Sequence, residues 1–355
     1  MENLCALCAA LTVLRVLAAR GVTSVTGCQR VVVQLRSPGR GPRVMIASYV
    51  ALHREGRLAA RAEAARAALA DCALCPRDCH VNRFETADGH CRIGRFALVS
   101  SYGAHFGEEA PLVGRHGSGT IFFTSCSLHC VFCQNWDVSH QRLGAPVTDE
   151  ALAAMMIDLQ ARGCHNVNLV TPTHMVAQIL SALVLAADRG LTVPLVYNTG
   201  GYDRVETLRL LDAAVDIYMP DVKTLDAGAA AQYLGAPDYP DVVRAALAEM
   251  HRQTGDLAVD EAGIAVRGLL VRHLVLPGDA MRTGEVVRFL ARDISRDTYL
   301  NLMDQYRPCG NAGRYPAIAR PIGAREFDAA LDACRAEGLS RLDGHVGRRL
   351  RELWR

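Results

Sequence analysis

From Thr120 to Glu337 the sequence alternates six β-rich runs with six helical stretches, which leaves few architectures open. The β-rich runs are Thr120–Thr124, Asn166–Thr171, Val193–Tyr197, Val215–Met219, Val266–Leu276 and Thr298–Met303. Helical patterns fill Thr148–Arg162, Met175–Arg189, Arg204–Ala213, Asp241–Gln253, Gly284–Asp293 and Ala324–Glu337. Thr148 reads as an N-cap, Asp149 and Glu150 suit the first helical turn, and Gly163 reads as the stop. Strands alternating with helices imply right-handed crossovers, hence an α/β protein with a parallel sheet.

Polar residues cluster where such a fold places chemistry. Ser125 and Cys126 follow the first run, Thr171 the second, Asn198 and Thr199 the third. Asp221 and Lys223 follow the fourth, and Gln305 and Tyr306 the sixth. The fifth run carries Arg272 and His273 within it. In parallel barrels the C-terminal strand ends share the face that carries the active site. Lys223 stands out for another reason: of 39 Lys and Arg residues it is the single Lys.

Charge excludes little except strong electrostatic partners. Basic residues number 39 and acidic residues 37, so the net charge of +2 supports neither nucleic acid nor an anionic membrane as a ligand. Leu4–Ala19 is too short for a membrane helix and is interrupted by Arg15. It also lacks a basic segment before it, so it is a poor secretion signal. Residues 20–44 lose periodicity, and a helical pattern begins after Met45; residues 1–44 are therefore expected to be an extension outside the native protein, with Met45 as its start. A cytoplasmic location follows as an expectation, and clustered cysteines there favour metal or redox chemistry over disulfides.

Cys126, Cys130 and Cys133 form C-x3-C-x2-C directly after the first β-rich run. Three thiolates so spaced can wrap a soft metal centre. A [4Fe–4S] cluster usually takes four, so three leave one iron open. Zinc would want a fourth ligand, for which His129 or His140 is near enough in sequence. Upstream, Cys72, Cys75, Cys79 and Cys91 suffice for a structural zinc site or for a complete auxiliary iron–sulfur cluster, and the spacing does not choose between them. Cys164, Cys309 and Cys334 read as packed thiols. Cys5, Cys8 and Cys28 are assigned nothing. His105, Glu108, Glu109 and His116 lie in a Gly-rich stretch that reads as a lid for the barrel mouth or as a connector.

The first cysteine motif, with Phe132 before its last cysteine, resembles the signature of the radical S-adenosylmethionine (SAM) superfamily. The resemblance implies that Cys126, Cys130 and Cys133 hold a [4Fe–4S] cluster and that SAM chelates the open iron. One electron would then cleave SAM, and the resulting 5′-deoxyadenosyl radical would take hydrogen from a substrate. Flavodoxin or ferredoxin is the implied electron donor. Within the superfamily, the stretches Gly117–Phe123, Cys130–Asn135, Asn168–His174, Val196–Tyr202, Asp216–Lys223 and Val271–Gly278 are similar to proteins related to pyruvate formate-lyase activating enzyme. That implies a partial (β/α)6 TIM-like barrel over residues 116–338. A helix and cysteine-rich subdomain over 45–115 would precede it, and a tail over 339–355 would follow.

Particular residues carry over where the motifs match. Met219, Asp221 and Thr199 match positions that form a monovalent-cation site beside SAM in the activating enzymes; Asn198 replaces an Asp there. Arg272 matches an Arg near SAM, and Asn135 an Asn beside the cluster. The segment Thr171 to His174 replaces a Gly-Gly-Glu that binds the SAM amino group, leaving Thr171 or Thr173 as substitutes. Lys223 is the expected catalytic residue, because a closed pocket beside SAM could take a compact ammonium and not a planar guanidinium. The substrate, a protein or a small molecule, is not indicated. Readings from other classes are a zinc-stapled binding protein and a scaffold that binds SAM without cleaving it.

Overall fold

The computed structural model describes residues 46–344. Expectations for residues 1–44, and for the tail beyond residue 344, lie outside the described residues.

Nine strands are described: β1 (Ala97–His105), β2 (Ser118–Phe123), β3 (Ala145–Val147), β4 (Val167–Val170), β5 (Leu195–Thr199), β6 (Ile217–Pro220), β7 (Ala258–Val259), β8 (Ala265–Leu274) and β9 (Tyr299–Met303). Six of them pair in parallel in the order β2-β4-β5-β6-β8-β9. These are the six β-rich runs, each within about two residues of its expected start. They read clearly because strands covered on both faces must be apolar nearly throughout; β5 and β6 are buried at every position.

The longer helices are α1 (Ser48–Arg54) and α2 (Arg57–Ala67) before the first strand, α3 (Asp149–Ala161), α4 (Val176–Asp188), α5 (Val205–Leu210), α6 (Tyr239–Thr254) and α7 (Thr283–Phe289) between strands, and α8 (Ala324–Glu337) after the last. Thr148 caps α3 by accepting from the Ala151 N–H at 3.2 Å. The first two helices pack on α4, outside the sheet. Asp216, ahead of β6, accepts from the N–H groups of Ser48 and Leu195 at 2.8 and 3.1 Å. That carboxylate fastens the start of α1 to the sheet.

The structure adds three strands to the six expected. β1 and β3 pair antiparallel beside β2 and extend that edge, and β7 pairs antiparallel with β8.

The segment between β1 and β2 does not lid the barrel mouth. Its Leu112 packs with Val196, Ile217, Met219 and Leu270, the apolar side chains of the inner face. The Leu112 carbonyl accepts from Asn166, just before β4, at 2.9 Å. The segment therefore plugs the N-terminal end of the barrel, opposite the loops that carry the cysteines.

Candidate active site

Three loops at the C-terminal strand ends build one cavity. Its wall includes Cys130, Phe132, Cys133 and Asn135 after β2, Asp221 and Lys223 after β6, Arg272 on β8, and Met303 and Gln305 at the end of β9.

The cysteine loop turns sharply where it leaves β2: Ser125 has φ +67°. The loop is then pinned by the N–H groups of His129 and Val131, which donate to Leu234 and Tyr233. Phe132 is buried, edge-on to Tyr306 with centroids 6.2 Å apart. Donors already point at sulfur. The Leu128 N–H reaches Cys126 Sγ at 3.3 Å, and the Ser139 hydroxyl reaches Cys133 Sγ at 3.1 Å. Burial pushes the Cys130 thiol up to about 12, opposed by the nearby Lys223 charge. Burial also raises Cys126, and Cys130 and Cys133 are close enough to act on it. Asn135 lines the cavity at the N-terminus of a short helix, Trp136–Ser139.

Asp221 is the hub of the charged wall. Its carboxylate takes Lys223 Nζ at 2.9 Å and Arg272 Nε at 2.6 Å. Burial alone would raise its pKa, but the Arg272 and Lys223 charges prevail and hold it at about 2. Arg272 also donates to Asn198 Oδ1 at 2.6 Å, and Glu108 lies 3.6 Å away. Beneath it, buried Glu109 accepts from Asn301 at 2.7 Å.

Thr199 and Thr173 turn elsewhere. Their hydroxyls donate to Asp203 at 2.6 and 2.7 Å, and Tyr197 adds a third at 3.0 Å. Asp203 is wholly enclosed, and burial raises its pKa. Met219 is buried on the inner face of β6. The residues expected to ring a monovalent cation are thus neighbours with separate partners: Asp221 and Asn198 are answered by Arg272 and Lys223, and Thr199 by Asp203. Thr171 has φ +60° directly after β4, and its N–H donates to Asn198 O at 2.8 Å.

The Asp221–Lys223 loop has its own clamp. The Tyr239 hydroxyl lies 2.9 Å from the carbonyls of both Gly200 and Asp221, and accepts from the Lys223 N–H at 3.0 Å. Gly201 (φ +76°) permits this approach, since a Cβ there would stand 2.9 Å from the Asp221 carbonyl oxygen.

The thiols of Cys72, Cys75, Cys79 and Cys91 line a second, enclosed pocket together with Arg83 and His174. Burial pushes Cys75 up to about 12, and the other three cysteines add to the shift. Cys164 and Cys334 are buried and Cys309 half-buried, and none of the three lines either pocket. His129 and His140 stack with His90 and Trp136. Among the described residues no three His, Cys, Asp or Glu side chains converge as a site for a single metal ion. The donor set of the first cavity fits a [4Fe–4S] cluster, which takes each thiolate on a different iron, and the adjoining Asp221, Lys223 and Arg272 suit a zwitterionic ligand such as the methionyl end of SAM.

Asp203 and Tyr239 were not marked by sequence as site residues, and Glu108 and Glu109 were marked only as part of a lid or connector. The signal for Asp203 was its place four residues after Thr199, but its three hydroxyl partners come from β5 and from the loop after β4. The barrel residues 120–290 match the family model of the radical SAM superfamily. The chain is also similar to the uncharacterized protein MJ0674 of Methanocaldococcus jannaschii, 31% identical over 281 residues, covering 77% of this chain and 76% of that protein. The chain therefore belongs to the radical SAM superfamily, a membership that implies a [4Fe–4S] cluster and SAM.

Proposed function

We propose that this chain is an iron–sulfur enzyme that cleaves SAM reductively and takes hydrogen from a protein or small-molecule substrate, with flavodoxin or ferredoxin as electron donor. The observation that carries this reading is the shared cavity of Cys130, Cys133, Asp221, Lys223 and Arg272 at the C-terminal strand ends. Cys126, Cys130 and Cys133 would hold the cluster. The bound cluster and SAM supply one-electron cleavage of the sulfonium and the hydrogen-abstracting radical that follows.

The chain's own residues bind and orient. Lys223 and Arg272 place two fixed positive charges against Asp221 at the cavity wall, so a carboxylate ligand meets charge already in position. Asn198 holds the Arg272 plane through its amide oxygen. Thr171, at the turn after β4, is the candidate partner for the SAM amino group. Phe132, Leu274, Met281 and Met303 give the cavity an apolar side that excludes water. An activating-enzyme-like role rests on the Asp216–Lys223 stretch.

The test is spectroscopic. Reduced, reconstituted protein is expected to change its electron paramagnetic resonance (EPR) spectrum when SAM is added, and Cys130→Ala to lose that response. A wild-type spectrum indifferent to SAM would contradict the reading.

A further inference from the structure

Arg83 is among the largest fully buried side chains, 2% exposed, and it pairs with no carboxylate among the described residues. Its donors go to the carbonyls of Gly94 and His174 and, at 3.9 Å, to Cys72 Sγ. A buried cation needs a negative partner. What faces it is the pocket of Cys72, Cys75, Cys79 and Cys91. The His90 N–H reaches Cys79 Sγ at 3.3 Å, a second donor aimed at sulfur. His174 Nδ1 is buried on the same wall without a hydrogen-bond partner. These features suit a centre whose thiolates are charged.

The four thiols are near enough to act on one another. Four thiolates suit zinc or an iron–sulfur cluster alike, and what favours the cluster is the pocket's contact with the barrel cysteine loop.

This pocket abuts the first cysteine loop at several points. The Ser125 hydroxyl donates to the Cys91 carbonyl at 2.5 Å, and the next residue is Cys126. Arg77, between Cys75 and Cys79, donates to Ser127 O at 2.8 Å. His174 Nε2 donates to Thr124 O at 2.9 Å, and His90 stacks on His129 with centroids 4.3 Å apart. Between Cys91 and Cys126 the only step not made of covalent bonds is the Ser125 hydrogen bond.

We propose that Cys72, Cys75, Cys79 and Cys91 hold an iron–sulfur cluster that relays electrons to the centre at Cys126, Cys130 and Cys133 through the Cys91–Ser125 contact. The relay rests on the reading of the barrel cysteines as a cluster site. In each event a reduced flavodoxin gives one electron to the outer cluster and is oxidised by one. The outer cluster passes that electron on and returns to its oxidised state. The barrel centre is reduced by one, and no bond or proton changes hands.

Iron and sulfide content after anaerobic reconstitution tests the site. A Cys126→Ala, Cys130→Ala, Cys133→Ala variant is expected to keep about four irons and four sulfides and an EPR signal that ignores SAM. Zinc in their place, or no metal, would overturn the proposal. The reciprocal variant, with Cys72, Cys75, Cys79 and Cys91 all changed to Ala, reports separately on the barrel centre. If that variant alone holds no iron, the barrel reading fails instead. The relay is read by stopped-flow bleaching of the barrel centre in Ser125→Ala and Cys79→Ser, each checked to retain the barrel iron. Reduction by flavodoxin is expected to slow several-fold in both, while reduction by dithionite, small enough to enter the cavity, stays at the wild-type rate. An unchanged flavodoxin rate, or equal slowing with both reductants, would overturn the relay.

Discussion

The Lys223 ammonium lies 2.9 Å from the Asp221 carboxylate on the wall of the cavity that Cys130 and Cys133 share. Only about a sixth of the Lys223 side chain meets solvent, at 17%. Its backbone N–H is held by the Tyr239 hydroxyl at 3.0 Å, so the stem starts from a fixed point. A guanidinium is wider and planar, and this slot would not accept it without moving the loop. Lys223→Arg is expected to lower SAM cleavage at least about tenfold, the equivalent of ~1.4 kcal/mol, with the cluster's visible spectrum intact. Wild-type turnover in that variant would remove Lys223 from the mechanism.

Asp221 makes the charged wall pH-resistant. Arg272 and Lys223 hold its pKa at about 2, below the ordinary 3.8. A depressed carboxylate contributes in full above its ordinary value, and the contribution is lost as pH falls through the folded-state value. The shift corresponds to an effect on the order of 2 kcal/mol. The difference in urea stability between wild type and Asp221→Asn is expected to stay constant from neutral pH to about pH 5 and to shrink only below about pH 4. A difference that does not change with pH would mean that Asp221 titrates at its ordinary value, and one that already shrinks between pH 7 and 5 would mean that its pKa is raised.

Asp203 collects three hydroxyls, those of Thr173, Tyr197 and Thr199. Removing it strands them, at about 1–3 kcal/mol for each one left unsatisfied. Asp203→Ala is expected to cost about 3 kcal/mol of stability by urea unfolding, and Asp203→Asn clearly less. Equal, small losses in both variants would show that the hydroxyls find other partners.

The parts of this molecule that were legible in its sequence are those written locally. Each parallel strand is covered on both faces, so Leu195–Thr199 or Ile217–Pro220 shows itself as an apolar run. The cysteine spacing and the loop ends after β4, β5 and β6 are likewise local. β1 escaped because Ala97–His105 is half exposed and mixes Ser, Gly and His into its run. The position of Glu108 and Glu109, plugged into the barrel near Arg272 and Asn301, depends on partners about 160 to 190 residues away. The same holds for the Ser125–Cys91 contact, which joins two motifs that read as independent in the sequence. Asp203 could have been weighed as a residue close to Thr199, but only the fold brings Thr173 and Tyr197 to it.

The central claim is that the cavity at the C-terminal strand ends carries out reductive cleavage of SAM. The most direct measurement is anaerobic: reconstitute the protein with iron and sulfide, add SAM and dithionite, and quantify 5′-deoxyadenosine beside Cys130→Ala. The account predicts 5′-deoxyadenosine from the wild type and none above background from Cys130→Ala. A reducible cluster that yields no 5′-deoxyadenosine, or a protein that takes up zinc and no iron, would contradict it.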